Sequence, residues 1–324
     1  MDLLTAFKQY GSTPLSYSTL QPDATYFWGN TDTPSGYIAY FCHSFLGKQY
    51  ISVLGDPIAD SRQWPVLLSE FLNRYPDSSF YNISEQCYSL LINRGLYGRY
   101  MGWDVYRDPS TPIASKQEVS HLRRLQNKWG ISIRERDLSI ADRPWITQIT
   151  DQWVKTRLIR HEIRSFFCRP LYLDHPHGLD LSSLCRYVVA FDATNRPIGF
   201  MVLDPLYRQG HCLGYVVNHV RYLPQYPFLP QLFRYFSRQD IIALGPVTCP
   251  NASLFFRHNW GFPFKSIRDA RCRYSHHASP LYFASTSRLF WIPWMALYGS
   301  VFYQKNKKIK LKISFTTKYK YIKK

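Results

Sequence analysis

No run of about 18 apolar residues occurs anywhere in the chain, so no stretch reads as a helix that spans a membrane. Closely spaced cysteine is missing too. The cysteines at 42, 87, 168, 185, 212, 249 and 272 include no C-x-x-C pair. That removes a zinc knuckle and a disulfide framework, and leaves reduced, partly buried thiols of a cytosolic protein. There is no Walker loop, no G-x-S-x-G elbow and no dinucleotide fingerprint. No glycine-rich pyrophosphate loop opens a helix, which argues against an acyl-coenzyme A donor. The N-terminus, MDLLTAFKQYGS, carries an early acid and no long apolar core, so it is not a secretory signal. His175-Pro176-His177 and His276-His277 lack helical i, i+4 spacing and a third ligand, so no metal is expected. Acid is also scarce. Against 40 Lys and Arg stand 22 Asp and Glu, a formal net charge of +18, and such a chain attracts polyanions: nucleic acid or an anionic lipid surface.

What is present is a foldable chain rich in rings. With 324 residues, 45% hydrophobic and 19% charged, it has the length of two domains and enough apolar surface to fold most of itself. Aromatic residues make up 17%, a share that suits cores, base stacking and membrane surfaces alike. Nine of the lysines lie between Gln304 and Lys324 with no acid among them, which leaves +9 (18 − 9) for the body. Leu289 to Tyr303 is apolar and aromatic but too short to span. With the lysine tail it reads as an interfacial anchor; the alternatives are a terminal element packed on the core with a disordered tail, and equally an edge strand over Lys308 to Phe315.

The periodicity alternates between strand and helix. A hairpin is expected over Tyr37–Phe41 and Gln49–Leu54, then a helix entered at Pro65 with Val66, Leu67, Phe71 and Tyr75 inward. A strand over Ser79–Ile83, a helix capped by Ser84, and a strand over Met101–Tyr106 follow. This order describes a mixed α/β sheet with helices on its faces. After a Pro- and Ser-rich stretch from Arg107 to Ser115, Gln117–Trp129 is helical. A further helix opens at Pro144 and is expected to reach about Glu162, with Ile146, Ile149, Trp153, Arg157 and Arg160 on one face. A second hairpin, Arg186–Asp192 and Pro197–Leu203, turns at Thr194-Asn195-Arg196. Asp-Pro follows both hairpins, at Asp56-Pro57 and Asp204-Pro205, and suggests an internal repeat of two similar domains. The expected bounds are 1–115 and 116–290, with a tail at 291–324.

One stretch organises the rest: LDPLYRQGHCLGYVVNHVRYLP, Leu203 to Pro224. It reads as a strand end, an Asp204-Pro205 turn, a loop closed by Gly210, and a second strand that leads Asn218, His219 and Arg221 out of an apolar run. A site mounted on a sheet has that pattern, and so has a strand fraying into a polar loop.

The motifs together resemble the C-terminal catalytic domain of the phosphatidylglycerol lysyltransferases. The matching pieces are GYIAY (36–40), ISVLGDPIAD (51–60), LRRLQNKWGISIRE (122–135), DQWVKTRLIRHEIRSFFCRP (151–170), the Leu203–Pro224 stretch, and RDARCRYSHHASPLYFAS (268–285). The resemblance implies two tandem acetyltransferase-like (GNAT-like) domains with the site in a cleft between them. It also implies an aminoacyl-tRNA donor, a phosphatidylglycerol hydroxyl as acceptor, no cofactor, and a cytoplasmic protein peripheral on the inner membrane face. On that basis Asp204 or Glu162 is expected to receive the donor's ammonium or assist proton removal, with His219 as a second base. Arg221, Arg157, Arg160 and Arg271 are expected to meet phosphate. Arg123 and Asn127 are expected to hold the domain junction or the tRNA end, and Asn218 to line the site. Asp56 is expected to fix its own turn. The alternatives are a non-catalytic GNAT-like module that binds RNA or membrane, and an acyl-CoA-dependent N-acyltransferase.

Overall fold

The computed structural model describes residues 1–29, 36–45, 47–108, 110, 115–156, 182–236, 241–251, 264–289 and 292–293. Glu162, Arg157, Arg160, the His175 and His177 pair, most of the aromatic stretch and the whole lysine tail lie outside these residues.

Eleven strands form one continuous mixed sheet among the described residues. In chain order they are β1 (Thr25–Phe27), β2 (Ile38–Phe45), β3 (Lys48–Leu54), β4 (Ser78–Ile83) and β5 (Tyr97–Tyr106). Then come β6 (Ser132–Glu135), β7 (Arg186–Phe191), β8 (Pro197–Arg208), β9 (His211–Tyr222), β10 (Ile241–Thr248) and β11 (His277–Ser285). Among the described residues seven α-helices accompany them: α1 (Leu3–Tyr10), α2 (Trp64–Arg74), α3 (Glu85–Ile92), α4 (Lys116–Trp129), α5 (Arg143–Lys155), α6 (Leu229–Phe236) and α7 (Phe264–Cys272).

The order across the sheet is β1-β2-β3-β4-β11-β5-β10-β9-β8-β7-β6. Two pairs are parallel, β3 with β4 and β9 with β10. Each is joined by a crossover containing one helix, α2 or α6, as a parallel connection requires. The run of hairpin, helix, parallel strand, helix and strand therefore occurs twice. The closing strands are traded: β11 of the second run sits between β4 and β5, and β5 of the first run pairs β10. The sheet thus runs straight through the expected boundary at 115/116.

Local signals explain the elements. Ser84 accepts a hydrogen bond from the Cys87 amide (3.4 Å) and starts α3, while Ser115 accepts from Glu118 (3.2 Å) and starts α4. Gly130, at φ 58°, ends α4 in the left-handed region. In α2 the inward face carries Leu67, Leu68 and Phe71, but Val66 is 56% exposed, contrary to expectation. One apolar cluster joins Phe7, Tyr17 and Val105 to Val188, Phe200, Leu203 and Phe233, so it spans both runs. A second, around Phe27, Leu68, Phe71, Phe80 and Leu91, lies under α2 and α3.

Two expectations are corrected. Asp204-Pro205 is not a turn: it lies inside β8, and the reversal falls at Gln209-Gly210, where Gly210 has φ 81°. Pro205 is tolerated there because its missing amide falls within a ladder already irregular nearby, with register shifts after Val202 and Leu206. The Asp-Pro repeat therefore marks different places, the end of β3 in one run and the middle of β8 in the other. Asp56 does more than fix its own turn, since its Oδ1 accepts from the Ser84 amide (2.8 Å) and holds the entry to α3.

Candidate functional site

In an antiparallel ladder, directly opposed residues point to the same face. Phe200 opposes Arg221, Val202 opposes His219, and Asp204 opposes Val216. Phe200, Val202 and Asp204 alternate along β8, so Asp204, His219 and Arg221 share one face of the sheet. Asn218 is the extra residue where the register shifts between Val202 and Leu203, a β-bulge of the kind that re-aims a side chain. Its Nδ2 donates to Asp204 Oδ2 at 2.5 Å, while the Cys185 thiol reaches Oδ1 at 3.6 Å. Asp204 and His219 are each 2% exposed and Arg221 7%.

Helix α5 covers this face. Trp145 meets Phe200 edge-on, and the Arg221 guanidinium lies 4.0 Å from the centre of the Trp153 ring. Such stacking holds a guanidinium in a fixed plane with its N–H edges available. Trp153 was expected on the inward face of this helix and is there, as a platform for an arginine.

The row through Asp204 continues across the sheet. Asp204 opposes Val216, Val216 pairs Ala243, Ala243 opposes Tyr106, and Tyr106 opposes His277. The next row carries Pro246, Asp104 and Ser279. Among the described residues, strands β9 and β10 pair only at Tyr215–Ile241 and Val216–Ala243. Beyond that point β9 bonds to β8 and β10 to β5, so the sheet parts. The parallel pair of the first run is not open in this way: β3 and β4 stay paired from Ile51–Ser78 to Leu54–Tyr81. One side of the parting carries Asp204, Asn218, His219 and Arg221. The other is bordered by β10 with Pro246 and Thr248, and Asp104 lies on β5 directly behind Pro246.

Arg271, on α7, hydrogen-bonds the Pro246 carbonyl. A Cβ on Gly245 would stand 3.3 Å from the Arg271 guanidinium, so glycine there gives the arginine its room. Arg271 thus belongs to the second side. Arg123 and Asn127 are exposed on α4, and Arg123 donates to the Tyr235 hydroxyl at 3.1 Å. That contact ties α4 to α6 within the second run, so the structure does not bring this pair to the parting.

Asp104 was missed in the sequence. It is 5% exposed, and burial raises its carboxyl to about 7, with the Arg271 charge pulling down and Asp56 pushing up. The signal available was one acid inside an otherwise apolar strand, MGWDVY. His43 was missed as well: it is buried, bonded to Ser52 at 2.8 Å, and lowered by burial to about 4. Among the described residues no group of His, Cys, Asp and Glu is arranged to hold a metal ion. None of their helices is long and apolar enough to cross a membrane.

Solved structures give the class. The structure of L-PGS from Bacillus licheniformis superposes with a TM-score of 0.71 at 16% identity, covering 94% of this chain and 96% of that one. The C-terminal domain (DUF2156) of a putative lysylphosphatidylglycerol synthetase from Agrobacterium fabrum gives 0.69 at 16%, covering 89% and 92%. A conserved protein of unknown function from Bacteroides thetaiotaomicron gives 0.58 at 10%, covering 88% and 95%. These likenesses establish a shared mixed α/β fold. The family comes from the sequence: the model for phosphatidylglycerol lysyltransferase, C-terminal, matches residues 4–230, and the chain belongs to that family of transferases. No curated protein matches the chain.

Proposed function

We propose that the protein moves an aminoacyl group, lysyl in the first instance, from aminoacyl-tRNA to a hydroxyl of phosphatidylglycerol. It does so while peripheral on the inner face of the cytoplasmic membrane. The observation that carries this reading is the shared face of Asp204, His219 and Arg221 beside the parting of β9 and β10. A family of this name supports the reaction type, and the net charge of +18 suits two polyanionic substrates.

The chemistry is a transesterification. A glycerol hydroxyl attacks the carbonyl carbon of the ester, and the bond to the ribose oxygen breaks. Because the ester is already activated, no covalent enzyme intermediate is needed. The protein orients the hydroxyl, manages its proton and steadies the oxyanion. Asp204 or Glu162 receives the donor's ammonium or helps remove the proton. Asn218 holds Asp204 in place, and His219 stands beside as a second base. Arg221, fixed on Trp153, meets phosphate together with Arg271, Arg157 and Arg160; Arg123 and Asn127 take the tRNA end.

The test is incubation with radiolabelled lysyl-tRNA and phosphatidylglycerol vesicles, followed by lipid chromatography. Label should enter a lipid product in the wild type. Asp204→Ala and Arg221→Ala should each lower the rate by about 100-fold or more, while circular dichroism shows the fold kept. Wild-type rates in both variants would remove these residues from the site. Binding without any turnover would favour an RNA- or membrane-binding module.

A further inference from the structure

Both oxygens of Asp204 are already engaged, one by the Cys185 thiol and one by the Asn218 amide. Of the two roles open to it, a carboxylate so held suits fixing the donor's ammonium better than taking a proton. Asp104 is different. Its Oδ1 is buried and accepts no hydrogen bond from the described residues. Its neighbour on β10 is Pro246, which has no amide to offer, and on β11 it faces Ser279. Two residues along the same face, Thr248 opposes Gly102, and its Oγ1 is likewise buried without a partner among the described residues. A buried carboxylate oxygen and a buried hydroxyl, both without a partner among the described residues, are costly unless something is to be placed between them. Ladder geometry puts such diagonal residues about 7–8 Å apart, room for one hydroxyl group. They lie on β10 and the strand behind it, across the parting from Asp204 and Arg221.

Resting on the transferase reading, we propose that Asp104 Oδ1 is the proton acceptor for the attacking lipid hydroxyl, and that the Thr248 hydroxyl aligns it. As the hydroxyl oxygen bonds to the ester carbonyl carbon, its proton passes to Asp104. When the tetrahedral centre collapses and the bond to the ribose breaks, Asp104 returns the proton to the departing ribose oxygen. No other reactant is required. The charged and titratable groups around Asp104 are Arg271 from α7, Asp56 beyond β3, Tyr106 on its own strand and His277 on β11. Arg271 favours the ionised base and Asp56 opposes it. Burial raises the carboxyl to about 7, where a base can both take and return a proton at neutral pH.

The experiment compares wild type with Asp104→Asn, Asp104→Glu and Thr248→Val in the lipid-transfer assay between pH 5.5 and 8.5. Asp104→Asn should lower kcat by about 100-fold or more, since general-base catalysis contributes that much. KM for both substrates should stay within about threefold, because the loss is confined to the transition state. Wild-type kcat should rise with pH through about 7, and the residual rate of Asp104→Asn should be flat. Asp104→Glu should recover part of kcat, and Thr248→Val should fall between. Should Asp104→Asn fail to fold, the wild-type profile decides: without an ionisation between about pH 6 and 8 the proposal fails. An Asp104→Asn enzyme with near wild-type kcat overturns it while leaving the transferase reading intact. A wild type that transfers nothing overturns both.

Discussion

At Asp104 the folded chain keeps a proton that the unfolded chain releases. The carboxyl rises from 3.8 to about 7 on folding, so the native state binds the extra proton between those values. The associated stability is fully present below pH 3.8 and lost as pH rises through about 7. Asp104→Asn should therefore unfold at higher urea than wild type at pH 8, and the gap should close toward pH 4, as midpoints at several pH values would show. His43 acts in the opposite sense. Lowered from 6.5 to about 4, it contributes stability above its unfolded value that is lost as pH falls through about 4. Single residues were legible in the sequence only where the local pattern exposed them. Asn218, His219 and Arg221 stood out because polar groups ended an apolar run. Asp104 gave no such sign, since its surroundings include β11 and the charge of Arg271, more than 150 residues later in the chain.

Elements were read well where periodicity was strong and poorly where a rule of thumb about one residue type took over. The helices at Pro65, Ser84 and Gln117 appear close to where their caps place them. The Asp204-Pro205 turn did not appear, because an irregular ladder lets proline sit within a long strand. Gly102 shows a constraint of another kind, invisible to any local pattern. A Cβ there would stand 1.9 Å from the Val247 carbonyl oxygen, inside the β5–β10 pairing. Gly102→Ala should cost about 1–3 kcal/mol by forcing those strands apart, measurable by urea unfolding. Activity should fall too, since Asp104 and Thr248 flank the same contact. In the core of the first run, Phe71 is fully buried between Phe27, Tyr40 and Phe80. Phe71→Ala should cost about 3–5 kcal/mol without moving the pH profile of whatever activity remains.

For the molecule as a whole, two hairpins each followed by Asp-Pro pointed to a repeat, but nothing in the sequence pointed to the exchange of final strands. Sequence order suggests that each run closes on its own last strand; pairing across more than 170 residues, as between Tyr97 and Ser285, leaves no short-range trace. Because β4 needs β11 and β10 needs β5, residues 1–115 and 116–324 made separately should each fail to unfold cooperatively. Mixed or co-expressed, they should regain a single transition by calorimetry. The same interdependence bears on synthesis at the ribosome. When the first 115 residues have emerged, β4 still presents a bare edge, and it stays bare until Ser285 has cleared the exit tunnel. The nascent protein must therefore be shielded from its neighbours for most of its translation.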